Sequence, residues 1–181
     1  MGAPIVEPPD ARLIAASLAG DYEAFAELAR RYKTRVFGIA ARFARHHHEL
    51  DDLGQEIFVK AWQHLGQFRR DAPFEHWLSR IAVRTCYDAL RRRRREPDQV
   101  PVDSVSLPAP ADATADAARE RLEHALTRLS PAERLVVTLL ELQEHSVREV
   151  AALTGWSEAN VKVRAFRARQ SLKRTLEKDH A

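Results

Sequence analysis

Residues 96–118 decide how the rest of this chain can fold. They hold four prolines (Pro97, Pro101, Pro108, Pro110), five acidic residues, and no lysine, arginine or aromatic residue. Such a run has too little apolar surface to offset the entropy of ordering, so it reads as an extended linker. The core must then be built twice, once from residues 1–95 and once from 119–181. Drawn out fully, the linker reaches about 75–83 Å; as a relaxed coil it averages roughly 24–29 Å.

Both flanks carry helical periodicity and no sustained strand-like alternation. A short helix is expected over Ala11–Ala19. Phe25, Leu28, Tyr32, Val36, Ala40 and Phe43 then recur every three to four residues behind Asp21, a suitable N-cap. A further helix is expected from about Asp51-Asp52, with Leu53, Ile57, Ala61 and Leu65 on one stripe and Gln55, Glu56, Lys60 and Gln63 opposite. Pro73 suits the first turn of another, whose shared face is Phe74, Trp77, Leu78, Ile81, Thr85 and Ala89 and which ends in Arg91–Arg95. After the linker, Leu122, Ala125, Leu126 and Leu129 lead to Ser130-Pro131 and Glu133, a capping box with proline at the first helical position. The expected class is all-α: two small helical domains joined by an extended linker, the C-terminal one a helix-turn-helix.

Charge follows the same division. Residues 1–95 carry 17 Lys/Arg against 12 Asp/Glu, and residues 119–181 carry 12 against 9, while the linker is purely acidic. Two basic modules point to a polyanion, of which nucleic acid is the commonest; a merely solvated arginine-rich surface is the plain alternative.

The C-terminal module supplies the chemistry. Ser146 with Glu149 caps a short helix, Val147–Thr154; Gly155 suits a left-handed turn; Ser157 caps a second helix, Glu158–Leu172. Short helix, glycine turn and basic second helix make the helix-turn-helix layout. Lys162, Val163, Phe166 and Arg167 share a side. Arg167 can bond guanine bidentately and Phe166 can meet a thymine methyl, while Arg164, Arg169 and Lys173 suit phosphates. An ordinary hairpin with a wet basic face leaves Phe166 on the polar side without a reason.

Taken together these motifs resemble an extracytoplasmic-function (ECF) sigma factor of bacterial RNA polymerase, over roughly Leu13–Arg95 and Arg119–Leu176. The resemblance divides the chain into residues 1–95 (region 2: polymerase binding, −10 recognition and melting), the linker 96–118, and residues 119–181 (region 4: −35 recognition). The segment Asp51-Asp52-Leu-Gly-Gln-Glu-Ile-Phe-Val-Lys-Ala-Trp62 looks like the family's clamp-docking helix, which implies that Asp52, Gln55, Glu56 and Lys60 meet core polymerase. Phe68-Arg69-Arg70-Asp71-Ala72-Pro73-Phe74, followed by Trp77–Ala82, is similar to the part that accepts a flipped −10 base and holds the opened strand. Phe68, Arg69, Arg70, Arg80, Arg84, Tyr87 and Arg91 then supply stacking surfaces and cations, whereas Phe74 and Trp77 read as core packing. The family often has Asn where this chain has Arg84, and a small polar residue where it has Val163. By position, Lys162, Val163, Phe166 and Arg167 are the base-proximal −35 residues, with Arg164 and Arg169 completing the DNA-binding set.

The partners implied are core RNA polymerase (clamp and flap), promoter DNA and an anti-sigma factor. No stretch is long and apolar enough for membrane insertion, the first ten residues do not read as a secretory signal, and a cytoplasmic location is expected. His46-His47-His48 reads as an exposed loop, since consecutive histidines on a helix do not converge on one ion. Cys86, the single cysteine, reads as a helix residue without a resolving partner. No nucleophile–base arrangement, phosphate loop or metal-ligand spacing stands out, so neither catalysis nor a cofactor is expected. Two rivals remain: a conventional DNA-binding regulator, which leaves the Asp51–Trp62 helix and the Trp77 segment unexplained, and a helical scaffold with no DNA role.

Overall fold

The computed structural model describes residues 10–95 and 121–178. The expected linker, 96–118, and most of the N-terminal segment lie outside them. The described residues contain helices and turns but no strand. The chain divides into two compact units, the first ending at Cys86 and the second starting at Tyr87, so the division falls within a helix.

The first unit begins with α1, Ala11–Leu18. Gly20, with φ +97°, turns the chain into α2, Tyr22–Ala40. The expected cap is in place: the Asp21 carboxylate accepts from the amides of Glu23 and Ala24 at 2.9 and 3.1 Å. The next helix, α3, spans His47–His64 and so begins several residues ahead of Asp51. Its cap is His46, whose Nδ1 accepts from the Glu49 amide at 3.2 Å. The Glu49 carboxylate reaches back to the Arg45 amide at 2.7 Å. The three histidines are thus a helix cap and first turn and not a loop, with His47 and His48 exposed as expected.

A short 3₁₀ turn, Leu65–Gln67, ends this hairpin, and α4 runs from Phe74 to Arg95. Pro73 stands just before α4; its carbonyl accepts from the His76 amide at 3.0 Å. Ile14, Leu28, Val36, Ala40, Phe43, Leu53, Ile57, Ala61, Leu65, Phe74, Leu78, Ala82, Val83 and Cys86 are buried. Most of the expected stripe is among them, but Phe25, Tyr32, Trp77 and Ile81 are only half-buried, while Ile14, Ala82, Val83 and Cys86, outside the expected stripes, are buried, Cys86 wholly so. Two helices approach very closely where Gly54 of α3 faces the ring of Phe37 of α2.

The second unit contains a helical segment over 121–127 (α5), α6 over Pro131–Val137, a π-helical turn over Thr138–Leu142, α7 over Val147–Thr154 and α8 over Glu158–Lys178. Both expected capping boxes form, Ser130 with Glu133 and Ser146 with Glu149, and Pro131 takes the first helical position. Gly155 is left-handed at φ 77°. Leu126, Leu129, Val137 and Ala168 form one core cluster, flanked by Leu122, Leu142 and Leu172. Val150, Val161 and Ala165 are buried where α7 meets α8. α8 continues six residues past Leu172; no glycine or proline interrupts it, and Lys173 pairs with Glu177 one turn on, at 3.7 Å.

Candidate nucleic-acid and polymerase interfaces

On α8 the buried residues Val161, Ala165 and Ala168 fix which side points out. Opposite them, Lys162, Val163, Phe166 and Arg167 are all exposed. Val163 keeps 49% and Phe166 61% of its surface in solvent. Ser157 caps the helix by accepting from the Asn160 amide at 3.2 Å, so the outward face lies in the first three turns, where a groove-reading helix meets base edges.

Arg164 and Arg169 sit on the two flanks. The Arg164 guanidinium lies 4.4 Å from the centre of the Trp156 ring and donates to Asn160 Oδ1 at 2.6 Å. It is held in place before any ligand arrives, by stacking and by one charge-assisted bond. Trp156 itself was not singled out from the sequence. Arg169 donates through Nε and a terminal nitrogen to Glu141 Oε1, at 3.1 and 2.6 Å. Both members of that pair are well exposed, so opening it costs little.

In the first unit a cleft of about 300 Å³ is lined by Gln67, Arg69, Asp71, Trp77, Arg80, Ile81 and Arg84. Three of the expected strand-binding residues, Arg69, Arg80 and Arg84, meet there. Gln67, Asp71, Trp77 and Ile81 are additions. For Trp77 and Ile81 the signal is helical spacing: Trp77, Ile81 and Arg84 recur at four and three residues along α4, beside Arg80; Gln67 and Asp71 stand before α4, where no helical spacing marks them. Trp77 serves both readings. It packs against Phe68 and Phe74 with ring centres 5.4 Å apart in each case, and it also walls the cleft. Phe74 is buried, as expected, and touches Tyr32 at 5.4 Å.

Phe68 is half-buried and leans edge-on against Phe74 at 5.5 Å. It braces the aromatic cluster and does not line the cleft. Arg70 is exposed and left-handed at φ 59°, at the turn of the loop between the 3₁₀ segment and α4. Tyr87 and Arg91 follow Arg80 and Arg84 along one stripe of α4, with the Arg91 guanidinium 5.8 Å from the Tyr87 ring centre.

The third expected surface is the solvent side of α3. Leu53, Gly54, Ile57 and Ala61 are buried, which turns Asp52 and Gln55 outward, both exposed. Glu56 and Lys60 lie on one flank and pair at 2.8 Å. At the centre of this face stands Val59, 53% exposed, a residue the sequence reading passed over. Among the described residues no group of three or more His, Cys, Asp or Glu is arranged to hold a metal ion, and no helix is long and apolar enough to cross a membrane.

Comparison with known proteins supplies the family. The Sigma-70 region 2 family matches residues 28–96, and the Sigma-70, region 4 family matches residues 119–172. The chain is 36% identical to the ECF RNA polymerase sigma factor SigM of Mycobacterium tuberculosis, over 94% of this chain and 86% of that one. It is 30% identical to the ECF RNA polymerase sigma-E factor of Escherichia coli K12, over 84% and 86%. Among solved structures, CnrH in complex with the cytosolic domain of CnrY superposes with a TM-score of 0.62 at 29% identity, covering 94% of this chain and 98% of that one. The sigma factor RpoE in complex with the anti-sigma factor NepR from Bartonella quintana gives 0.60 at 26% identity, over 84% and 96%. Two sigma-70 regions in order, and relatives matched along most of their length, place this chain in the ECF family of RNA polymerase sigma factors.

Proposed function

We propose that this chain is a dissociable initiation subunit: it binds core RNA polymerase, directs it to promoters with −35 and −10 elements, and helps open the DNA. The observation that carries this reading beyond simple DNA binding is the arginine-lined cleft beside Trp77. A duplex-reading regulator has no use for it. An unstacked base does, because it needs an aromatic wall and polar groups for its edge. Here Trp77 supplies the wall, Gln67 and Asp71 an amide and a carboxylate, and Arg69, Arg80 and Arg84 the cations for the backbone.

The division of labour follows the expected domains. Residues 1–95 dock on the polymerase clamp through Asp52, Gln55, Glu56 and Lys60 and handle the opened strand. Residues 119–181 read the −35 element, with Lys162, Val163, Phe166 and Arg167 toward the bases and Arg164 and Arg169 toward phosphates; the same module is assigned to the polymerase flap. Each DNA contact alone is weak, and joining them on one polymerase raises the effective concentration of the second. An anti-sigma factor is a further partner on this reading, since one of the structural relatives is a sigma factor in complex with an anti-sigma factor. The protein has no catalytic activity of its own and works in the cytoplasm, where the polymerase is.

Run-off transcription with core polymerase on genomic fragments tests the reading. Discrete starts that appear only when the protein is added are expected. Tight promoter binding without polymerase, and no starts with it, would instead indicate a conventional regulator.

A further inference from the structure

Val163 and Phe166 are the large exposed apolar side chains of the second unit among the described residues. Every other exposed residue of α8 is charged, an amide or alanine. A basic helix that only gripped phosphates would have no use for these two. Their place on its outward side calls for a ligand feature that cations do not serve.

Helical geometry locates the pair. Successive residues turn by about 100°, so Val163 and Phe166 stand about 60° apart. Both point away from the buried stripe of Val161, Ala165 and Ala168. Lys162 falls about 40° beyond Phe166, and Arg167 about 40° beyond Val163 on the other side. The apolar pair is thus the middle of the face, and the two cations are its edges. Along the axis Val163 and Phe166 are about 4.5 Å apart, little more than the ~3.4 Å step between base pairs. They therefore meet adjacent pairs, or pairs separated by one.

Neither side chain has a donor or an acceptor. Pressed against a guanine O6, an adenine N6 or a cytosine N4, each would leave a polar group dry and unpaired, which is unfavourable. In the major groove the apolar feature of a base edge is the thymine C5-methyl. We infer that Val163 and Phe166 read two thymine methyls at neighbouring positions of the −35 element, with Lys162 and Arg167 bonding the base edges on either side. The inference rests on the proposed −35 reading of α8 and deepens it, naming the chemical feature recognised where Val163 replaces the family's frequent small polar residue. The cationic edges select DNA over a protein as the occupant, since they match a groove walled by phosphates.

The test uses the full chain with core polymerase on a promoter from which it initiates. Uracil replaces each −35 thymine in turn, on either strand, which removes the methyl and leaves the hydrogen-bonding edge intact. At two positions, adjacent or separated by one pair, uracil is expected to weaken holoenzyme binding about 3- to 5-fold, the loss of one buried methyl contact. At those positions 5-methylcytosine should bind better than cytosine. Val163→Ala and Phe166→Ala assign the contacts. Both side chains are exposed, so both variants should melt as the parent does. Each should lose sensitivity to one uracil and keep sensitivity to the other. Lys162→Ala and Arg167→Ala report on the underlying reading. If these two weaken binding and uracil is tolerated throughout the element, α8 reads the −35 element as proposed and the methyl assignment is wrong. If the two cations are dispensable as well, α8 does not read the element and both readings fail. Loss of affinity for core polymerase in Val163→Ala or Phe166→Ala, with uracil tolerated, assigns the pair to a protein contact and overturns the inference.

Discussion

Gly54 shows how one residue sets the approach of two helices, α3 on α2. A Cβ added there would lie 2.5 Å from the edge of the Phe37 ring, well inside contact distance. Gly54→Ala therefore forces the ring or the helix aside and should cost about 1–3 kcal/mol, the usual cost of overpacking. Removing the obstacle tests the cause: with Phe37→Ala in the same chain, the added penalty of Gly54→Ala should vanish in a thermal-unfolding cycle. A second residue-scale case is Tyr32. Its hydroxyl donates to the Asp10 carboxylate, which stands at the head of α1. Burial, then that hydrogen bond, pushes the phenol well above its ordinary value of 10.0. A raised phenol contributes stability that is complete below pH 10 and is lost as pH climbs beyond it. Tyr32→Phe should thus cost about 1 kcal/mol near neutrality, and the gap to the parent should narrow in melts taken above pH 10. Neither role is legible in the sequence, although Tyr32 falls on the expected stripe of α2. Gly54 sits inside a helical stripe without a turn to explain it, and the partners that matter, Phe37 and Asp10, are 17 and 22 positions away.

Helices whose ends are set by neighbouring residues were readable, and those set by longer-range contacts were less so. Ser130 with Glu133, Ser146 with Glu149, Gly155 and Asp21 all act within four residues, and each appears as expected. His46 does the same work for α3, but a histidine caps only through a ring nitrogen free to accept, so the usual capping residues pointed downstream to Asp51. The π-turn at Thr138–Leu142 escaped for another reason. Its signature is one carbonyl bonded five residues on, Thr138 to Gln143 at 3.1 Å, and an apolar run broken only by Thr138, Leu135–Leu140, hides the extra residue. The turn matters because it carries Glu141, and Glu141 holds Arg169. The basic face of α8 was legible; this restraint on it was not. Glu141→Gln should free Arg169 for a phosphate. The polymerase-bound protein should then bind promoter DNA more tightly at low salt, with the slope of log affinity against log salt steeper by about one. If Arg169 faces no phosphate, the slope will stay as it is, and the pair is merely a surface contact. On the other flank, Trp156→Ala removes the ring that pre-positions Arg164. It should weaken promoter binding by a few-fold across all sequences, without changing which bases are preferred, since phosphate contacts carry no sequence information.

At the scale of the whole chain, composition sets apart two basic modules and a cation-free spacer between them, and the family matches cover 28–96 and 119–172. What composition does not reveal is how tightly the spacer's length is matched to its task. Two promoter elements one and a half turns of DNA apart are separated by roughly 50–55 Å. The 23 residues of 96–118 can reach about 75–83 Å, so they suffice with some slack. Removing about ten of them leaves a reach of only about 43–47 Å, short of the span. Such a deletion touches neither α3 nor α8, so each module keeps its own contact surfaces. Run-off synthesis from a promoter that needs both elements should nevertheless fall about 100-fold or more, because the second contact no longer follows from the first. Adding ten residues instead should cost only a few-fold, since effective concentration falls slowly once a tether is long enough. A deletion that initiated normally would mean that the two modules do not read the promoter at the same time, and the spacer would then have to act through its acidic side chains. A neutral spacer of unchanged length separates these cases: it should initiate normally if reach is what matters, and fail if charge is.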